Sequence, residues 1–434
     1  MSEADDSVDP LGTFRGFLAL EADVLVLSLA MFAFSLGFQM TGRYMAEYLS
    51  ALGAGAVVVG LYGTVGNVIG AVYPYPGGAV SDRIGSRNAL TAFGLLSTLG
   101  FLAWLVAPLL GPLAVPAVFV GLLLAQAWKS FGLGATFAVV KQSVPPSRLA
   151  AGFASTETFR RTAFLIGPLI AAALFAPFGS TDDEVVLAFQ AILVVAVVAA
   201  VVGTVAQHLL YDASEDSIGS EFAGLAQIRA DLRSLPDPLR PLLVGDTLVR
   251  FGNGMVYVFF VLVVTDFLSV GLTTSLPGLG AVSLSPQAFF GLLLAVEMLV
   301  ALLTMLPAAS LAERVGLKPV VAVGFAVYAT FPVLLIYAPA DAATLVALFA
   351  FSGLRFAGLP AHKALIVGPA EADAGGRVTG TYYLVRNAVV IPSGLAGGYL
   401  YSLNPEAAFL AASVVGGLGV LYFLLYGEEF AAYA

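Results

Sequence analysis

Long runs of apolar residues, separated by short polar turns, extend along almost the whole chain. A helix needs about 20 mostly apolar residues to cross roughly 30 Å of hydrocarbon, and twelve runs reach that length. The pattern therefore predicts an all-α protein with twelve transmembrane helices. The predicted segments lie near residues 23–49, 54–75, 88–108, 113–142, 147–176, 183–209, 240–269, 286–309, 318–338, 342–366, 376–402 and 405–427.

The composition agrees with a membrane protein and excludes an ordinary soluble domain. Apolar residues make up 59% of the 434 residues and charged residues only 11%, whereas about a quarter of a soluble domain is charged. The chain has no cysteine, which excludes disulfides, thiol catalysis and cysteine metal sites. Only four of the 19 basic residues are lysine and the net charge is -9, a balance that suits a salt-rich cytoplasm and points to a halophilic host.

Polar stretches divide the chain into two bundles of six segments each, residues 23–209 and 240–427. Residues 1–22 are predicted to form an acidic N-terminal tail, and residues 428–434 a C-terminal tail. The stretch 210–239 is predicted to be a linker. Its apolar positions recur at helical spacing, so they predict an amphipathic helix that either lies on the inner membrane surface or packs beneath the bundle.

Basic residues concentrate on one predicted side of the membrane. If both termini are cytoplasmic, inner-side segments hold twelve basic residues and the outer loops hold none, so the positive-inside rule predicts a protein of the cytoplasmic membrane with both termini inside. The inner bases are Arg15, Arg83, Arg87, Lys141, Arg148, Arg229, Arg233, Arg240, Arg314, Lys318, Lys363 and Arg377. The outer loops instead hold Asp182, Asp183, Glu184, Asp341 and Glu406.

One short charged motif occurs twice between long segments, at an offset of 231 residues. An acid, an arginine, a glycine and a second base at matched spacing predict a tight charged turn, and its recurrence at half the chain length predicts a duplicated bundle. A second correspondence, at an offset of 226, relates Lys129 to Arg355. The first motif copy comprises Gly78, Asp82, Arg83, Gly85 and Arg87, and the second comprises Ala309, Glu313, Arg314, Gly316 and Lys318.

The first copy resembles the loop motif of the major facilitator superfamily, G-x-x-x-D-R-x-G-[RK]-[RK], with Ser86 at one basic position. The second copy departs further, with Leu317 at that position. The resemblance covers about residues 20–427. It implies two six-helix halves related by a pseudo-twofold axis along the membrane normal, a central cavity, and secondary transport by alternating access. It also implies that the two motif copies form a cytoplasmic gate.

The chain departs from the motifs of the family's drug/proton antiporters. Their helix-5 motif ends in G-P-x-x-G-G, and this chain keeps Gly167 and Pro168 but has Ala171 and Ala172 in place of the two glycines. At the family's helix-4 motif, R-x-x-x-G-x-G, Trp128 stands where arginine is expected. Drug/proton antiport therefore stays an alternative to the main expectation.

Ionisable residues occur inside only some of the predicted segments. Such a residue at the bilayer centre costs about 2.5–3.5 kcal/mol, so each must line a polar cavity or have a partner. Segments 3, 6, 9 and 12 have no interior charge, as expected of helices that pack against lipid. Asp246 with Arg250, and Glu157 with Arg160 or Arg161, are close enough on one helix to pair, so they are predicted to be structural. Near the outer end of the first segment lie two charges predicted to reach water, Arg43 and Glu47.

Lys129, Arg355 and Arg386 remain near mid-depth, together with Glu297, which has no base on its own helix. Glu297 is the candidate for a protonation switch in coupled transport, and the alternative is a permanent ion pair with Lys129 or Arg386. Bases outnumber acids among these interior residues, which favours an organic anion as substrate because guanidinium groups suit carboxylate and phosphate. The uncharged candidates for the same cavity are Gln39, Asn253 and Tyr257, with Asn67, Gln126, Tyr62 and Asn387.

The sequence contains no phosphate-binding loop and no zinc or nucleophile motif, and His208 and His362 stand alone near helix ends. We therefore expect neither an enzyme nor a cofactor. The expected function is secondary active transport of a small organic solute, with a proton or sodium ion as coupling partner, by a monomer in the lipid bilayer that binds no nucleic acid. The alternatives are a drug/proton antiporter, a channel, and a receptor or sensor derived from a transporter.

Overall fold

The computed structural model describes residues 22–73, 77, 80, 81, 83–132, 136, 139, 149–212, 236–276, 280–367 and 375–429. Several predicted features lie outside the described residues. These are most of both tails, most of the linker, and Gly78 and Asp82 of the first motif copy. The side chains of Glu157 and Glu313 are also outside the described part of the chain.

Each of the first six predicted segments contains helix. The α-helices are α1 (Ala22–Gly42), α2 (Met45–Ala51), α3 (Ala56–Val72), α4 (Ser86–Val106), α5 (Ala114–Gln126), α6 (Leu149–Phe175) and α7 (Asp182–Leu210). A 3-10 turn, Ala107–Leu113, joins α4 to α5, and a π turn, Ala127–Phe131, extends α5.

The last six predicted segments are helical as well. The α-helices are α8 (Leu239–Val256), α9 (Phe260–Leu262), α10 (Pro286–Val315), α11 (Leu317–Ile336), α12 (Ala342–Gly353), α13 (Leu359–Val367), α14 (Gly375–Val390), α15 (Ser393–Leu403) and α16 (Pro405–Tyr426). Three irregular turns interrupt them: a 3-10 turn at Tyr257–Phe259, a π turn at Val263–Phe267 and a 3-10 turn at Leu354–Phe356.

Among the described residues, nine helical stretches are long and apolar enough to cross a membrane. One of them, Ser86–Phe131, is 46 residues long and covers the third predicted segment and most of the fourth. Ala56–Val72 is apolar but shorter, and Pro392 divides the eleventh segment into α14 and α15. The described helices therefore agree with twelve spans in an all-α membrane fold.

A β-hairpin between the seventh and eighth segments was not predicted. β1 (Leu272–Leu276) pairs antiparallel with β2 (Gly280–Leu284), and Leu272 is the register partner of Leu284. Each strand has only five residues, too few to stand out beside apolar runs of membrane length. We call this end of the bundle the hairpin end. The opposite end, where Gly85 and Gly316 precede α4 and α11, is the motif end.

Two helix pairs hold the halves of the chain together. α6 packs along α10, and α3 packs along α15. Glycines permit the second contact, because a Cβ atom at Gly60 would overlap the Gly394 carbonyl oxygen, and one at Gly398 would lie 2.9 Å from the Gly60 Cα. Small residues allow close helix approach within membranes, where van der Waals packing drives helix association.

Helices of the sixth, ninth and twelfth segments expose apolar side chains on the outside of the bundle. Examples are Val198 on α7, Val323 on α11 and Leu418 on α16. A soluble monomer rarely exposes large contiguous apolar surfaces. These faces therefore suit contact with lipid, as the lack of interior charge in the same segments predicts.

Candidate substrate site

The two basic residues that correspond in the internal repeat, Lys129 and Arg355, lie in irregular turns and not in regular α-helix. Lys129 lies in the π turn after α5, and Arg355 lies in the 3-10 turn after α12. The Trp128 N–H at the π turn donates to the Ser97 hydroxyl at 2.8 Å, so α4 helps to hold that turn. Local π geometry inside helices occurs often at functional sites. In both halves, the backbone therefore departs from regular α-helical geometry at the basic residue.

Glu297 on α10 is almost completely buried, at 1% side-chain exposure. Arg355 Nη2 lies 2.6 Å from Glu297 Oε1, and the Ser352 hydroxyl donates to the same oxygen at 2.5 Å. Arg43 Nη2 lies 3.5 Å from Glu297 Oε2. We call these four side chains the Glu297 cluster. Because Arg43 follows α1, the cluster joins the two halves of the chain.

The prediction that Arg43 and Glu47 reach water is wrong. The Arg43 side chain is 12% exposed, and its guanidinium lies 4.4 Å from the centre of the Tyr257 ring. Glu47 is 5% exposed. The reason is the turn at residues 43 and 44, after which the chain continues as α2 and directs both side chains between the halves.

A second buried carboxylate, Asp246 on α8, has no exposed side-chain surface. Arg250 Nε on the same helix lies 3.2 Å from it, and Arg386 Nη1 on α14 lies 3.1 Å from it. His362 Nε2 lies 3.3 Å away, and the Tyr382 hydroxyl donates to Asp246 at 3.1 Å. We call these five side chains the Asp246 cluster.

Local spacing identified only part of the Asp246 cluster. Asp246 and Arg250 are four residues apart on α8 and form the predicted ion pair. The alternative pairing of Arg386 with Glu297 is wrong, and so is the view that His362 stands alone. Arg386 is 140 residues from Asp246 along the chain, so only the packing of α13 and α14 against α8 could reveal these partners.

Tyr328 on α11 connects the two clusters. Its hydroxyl accepts a hydrogen bond from Arg250 Nη1 at 2.9 Å, and the Arg355 guanidinium lies 5.1 Å from its ring centre. Arg250 and Arg355 also line a void of about 10 Å³, which is about the room that one water needs. The two guanidinium groups are therefore held in place by carboxylates and aromatic rings.

A larger cavity of about 250 Å³ lies between α3, α8 and α14. Two guanidinium groups and three side-chain amides line it, and none of its described lining residues is acidic. The Arg386 Nε and Nη2 groups both donate to Asn387 Oδ1, at 3.2 and 3.0 Å, which fixes the plane of that guanidinium. The lining residues are Gly63, Asn67, Arg250, Asn253, Gly254, Tyr257, Val258, Arg386, Asn387 and Val390.

The structure brings together some of the predicted site residues and separates others. Asn253, Tyr257 and Arg386 line the cavity, and so does Arg250, which we predicted to be only structural. Lys129, Arg355 and Gln39 do not contribute to its described lining. Lys129 is exposed, with its amine 5.4 Å from the centre of the Phe38 ring. Gln39 on α1 packs against Gly167 on α6.

The two motif copies form equivalent turns at the motif end. Gly85 and Gly316 have φ angles of 82° and 93°, in the region that favours glycine, and each immediately precedes a helix. Arg83 and Arg314 are exposed there. Glu429, which the sequence did not single out, accepts hydrogen bonds from the Leu317 and Lys318 N–H groups, both at 2.9 Å. These bonds satisfy two of the four free donors at the start of α11.

Replacement of Gly85 by alanine is expected to lower the free energy of unfolding by about 1–3 kcal/mol, because an L side chain is strained at this backbone conformation. The measurement is thermal unfolding of the purified protein in detergent. The control is Gly417→Ala on α16, where an added methyl group meets no atom within 4 Å. Equal unfolding temperatures for the Gly85 variant and the parent would contradict the expectation.

Comparison with known proteins gives a consistent result. A family model described as Major Facilitator Superfamily matches residues 27–286 and 242–432. An uncharacterized MFS-type transporter of Methanocaldococcus jannaschii is 22% identical over 414 residues, which cover 93% of this chain and 95% of that protein. An uncharacterized MFS-type transporter of Mycobacterium tuberculosis is 30% identical over 167 residues, which cover 38% of this chain and 37% of that protein.

Solved transporter structures share the fold at low sequence identity. A POT family transporter in complex with a thioalcohol-conjugated peptide has a TM-score of 0.72 and 13% identity, over 94% of this chain and 98% of that one. A mutant of the nucleoside transporter NupG has a TM-score of 0.72 and 12% identity, over 93% and 98%. A bacterial homologue of the iron transporter ferroportin, in an inward-facing state, has a TM-score of 0.72 and 14% identity, over 94% and 98%. These likenesses show the fold alone.

Proposed function

Because the chain belongs to the major facilitator superfamily, we propose that it moves a small organic anion across the cytoplasmic membrane by alternating access. It is a multi-pass membrane transporter and not an enzyme. The observation that carries the choice of substrate is the cavity of about 250 Å³, lined by Arg250 and Arg386 and by no described carboxylate. Guanidinium groups that are not fully neutralised attract carboxylate and phosphate.

Both cavity arginines keep hydrogen-bond donors for a ligand. A guanidinium has five N–H donors. Among the described residues, Arg386 uses three of them, one for Asp246 and two for Asn387, and Arg250 uses two, for Asp246 and Tyr328. The remaining donors suit the oxygens of one carboxylate or phosphate group.

The balance of charges in the Glu297 and Asp246 clusters also supports an anionic substrate. In the described part of the chain, four guanidinium groups share two buried carboxylates, those of Glu297 and Asp246. A site with surplus positive charge in a medium of low dielectric binds anions in preference to cations. The four arginines are Arg43, Arg250, Arg355 and Arg386.

The size and lining of the cavity limit the substrate to a small polar molecule. At about 250 Å³, the cavity is slightly smaller than the roughly 300–1,000 Å³ that is typical of pockets for drug-sized ligands. The amides of Asn67, Asn253 and Asn387, with the Tyr257 ring, offer both donors and acceptors for further polar groups of the anion.

We propose that the hairpin end faces outward, in line with the distribution of basic residues. At that end the halves are in contact, since the Tyr44 hydroxyl donates to the Gln287 carbonyl at 2.9 Å and Gly60 packs on Gly394. A substrate would then exchange through the motif end, where Arg83, Arg87 and the second motif copy are the proposed gate residues.

The contacts of Glu297 favour a permanent ion pair over a protonation switch. Arg355 and Arg43 supply two positive charges to one carboxylate, and Ser352 supplies a further donor. Opposite charges at this distance attract each other strongly in a medium of low dielectric. We propose that the Glu297 cluster locks α10 to α1 and α12, and that coupling to an ion uses another group.

Purified protein screened by thermal shift against small carboxylates, phosphate esters, sugars and hydrophobic cations tests the proposed substrate class. A ligand at 100 times its Kd should stabilise the protein by about 2.7 kcal/mol, and we expect this effect only from anions. Radiolabelled uptake of the binding anion into proteoliposomes is the second measurement. Stabilisation by hydrophobic cations alone would favour drug efflux, and binding without uptake would favour a receptor.

A further inference from the structure

A third buried carboxylate, Glu47, lies between the two halves at the hairpin end, and its partners are neutral. Gln287 Nε2 donates to Glu47 Oε1 at 2.8 Å, and Thr265 Oγ1 lies 2.6 Å from Glu47 Oε2. Glu47 belongs to α2 in the first half, whereas Thr265 and Gln287 belong to the second half. The carboxyl group therefore bridges the halves without a salt bridge.

Further hydrogen bonds surround this bridge and also cross between the halves. The Tyr44 hydroxyl donates to the Gln287 carbonyl at 2.9 Å, and the Ser180 hydroxyl donates to Gln287 Oε1 at 3.0 Å. We call Tyr44, Glu47, Ser180, Thr265 and Gln287 the latch. All of these cross-half bonds must break if the hairpin end opens.

Among the described residues, the charged groups that face Glu47 are acidic. Asp266 on the π turn after α9 and Asp182 at the start of α7 act on it electrostatically, and the Tyr401 hydroxyl on α15 is a neutral neighbour. Arg43, four residues earlier, is directed to Glu297 and the Tyr257 ring instead. No cation in the described part of the chain pairs with Glu47. An ionised Glu47 would thus be a buried charge without a counter-charge among the described residues, which is costly.

The single hydroxyl hydrogen of Thr265 supports a protonated Glu47 in the closed latch. The Thr265 hydroxyl has one hydrogen but lies within bonding distance of two oxygens, Glu47 Oε2 at 2.6 Å and the Val261 carbonyl at 3.0 Å. If Glu47 is a carboxylic acid, it donates to the Thr265 oxygen, and Thr265 donates to Val261. The Gln287 amide then donates to the other carboxyl oxygen, so every atom has a partner.

We propose that Glu47 is a proton-binding site, which takes up one proton when the hairpin end closes and releases it when that end opens to water. The inference rests on the alternating access proposed above. The proton comes from water at the hairpin end and returns there, so a lower pH on that side favours the closed latch. Glu297 differs because two guanidinium groups neutralise it.

The chain has no cysteine, so two introduced cysteines can report the opening of the latch. Ser50→Cys and Ser402→Cys place spin labels at exposed hairpin-end positions on opposite halves, and double electron–electron resonance between pH 5 and pH 9 measures their separation. We expect the closed-to-open ratio to rise as pH falls, by up to about tenfold per pH unit for one linked proton.

Glu47→Gln should remain closed at every pH, because its amide donates to Thr265 and its carbonyl accepts from Gln287 as the protonated acid does. Thr265→Val removes the partner of the proton while it keeps the shape of the side chain, so it should move the pH midpoint downward. The matched control is Asp183→Asn, which changes an exposed acid at the same end and should leave the pH response unchanged.

A parent protein whose label separation does not change with pH would overturn the proposal, and so would a full pH response in Glu47→Gln. A separation that follows sodium concentration at constant pH would assign the site to sodium and reject the proton. These measurements need no substrate. Failure to transport an anion therefore counts against the proposed function, whereas a failed pH response counts against the latch.

Discussion

Replacing Arg386 with glutamine is expected to lower uptake of the transported anion into proteoliposomes by roughly 30- to 1,000-fold, which corresponds to about 2–4 kcal/mol. The substitution removes one of the two guanidinium groups that line the cavity. The fold should persist, because Asp246 keeps Arg250 at 3.2 Å and His362 at 3.3 Å. Initial uptake rates over a range of substrate concentrations give the measurement.

Two further variants separate loss of binding from loss of folding. Arg386→Lys keeps the charge but not the planar set of donors, so its uptake should fall between those of the parent and Arg386→Gln. Arg240→Gln is the matched control, because Arg240 is 67% exposed and pairs only locally with Asp237 in the described structure. Normal uptake by a stable Arg386→Gln protein would remove Arg386 from the proposed site.

Replacing Glu297 with glutamine is expected to lower the free energy of unfolding by about 3–5 kcal/mol. The change leaves the Arg355 guanidinium, whose side chain is 1% exposed, without its charged partner. Arg355 Nε already has no hydrogen-bond partner among the described atoms, so nothing nearby replaces the lost contact. Thermal unfolding in detergent measures the effect.

The cause of that loss can be isolated by changing both partners. If the cost comes from an unpaired buried charge, the double variant Glu297→Gln with Arg355→Met should recover most of the lost stability, because removal of both charges is much less harmful than removal of one. Glu406→Gln, at a partly exposed helix start, is the control. A fully stable Glu297→Gln variant whose transport no longer depends on pH would instead support a protonation switch at Glu297.

The helices were the most predictable part of the protein. The segment predicted near 240–269 appears as Leu239–Phe267, and the one near 405–427 as Pro405–Tyr426. Hydrocarbon thickness sets the length of each apolar run, so the limits can be found along the chain without knowledge of neighbours. The β-hairpin was missed because its two strands are short and lack such a constraint.

The candidate site was predictable in its residue types and less so in its contacts. The sequence identified Arg386, Asn253 and Tyr257, which line the cavity. Polar side chains in apolar segments are costly unless they line a polar cavity or have a partner. It also proposed Lys129, Arg355 and Gln39, which lie outside the described lining. Segment position shows depth in the membrane, but it does not show the direction in which a side chain points around the helix axis.

The sequence by itself determined the membrane fold, the repeated glycine turns and the surplus of interior bases, since each follows from local composition and spacing. Only the tertiary structure decided which charges meet. Arg43 reaches Glu297 across 254 residues, and Glu47 meets Gln287 across 240. Such partners depend on how each helix is rotated and which helix lies beside it, and that choice is made by packing over the whole bundle.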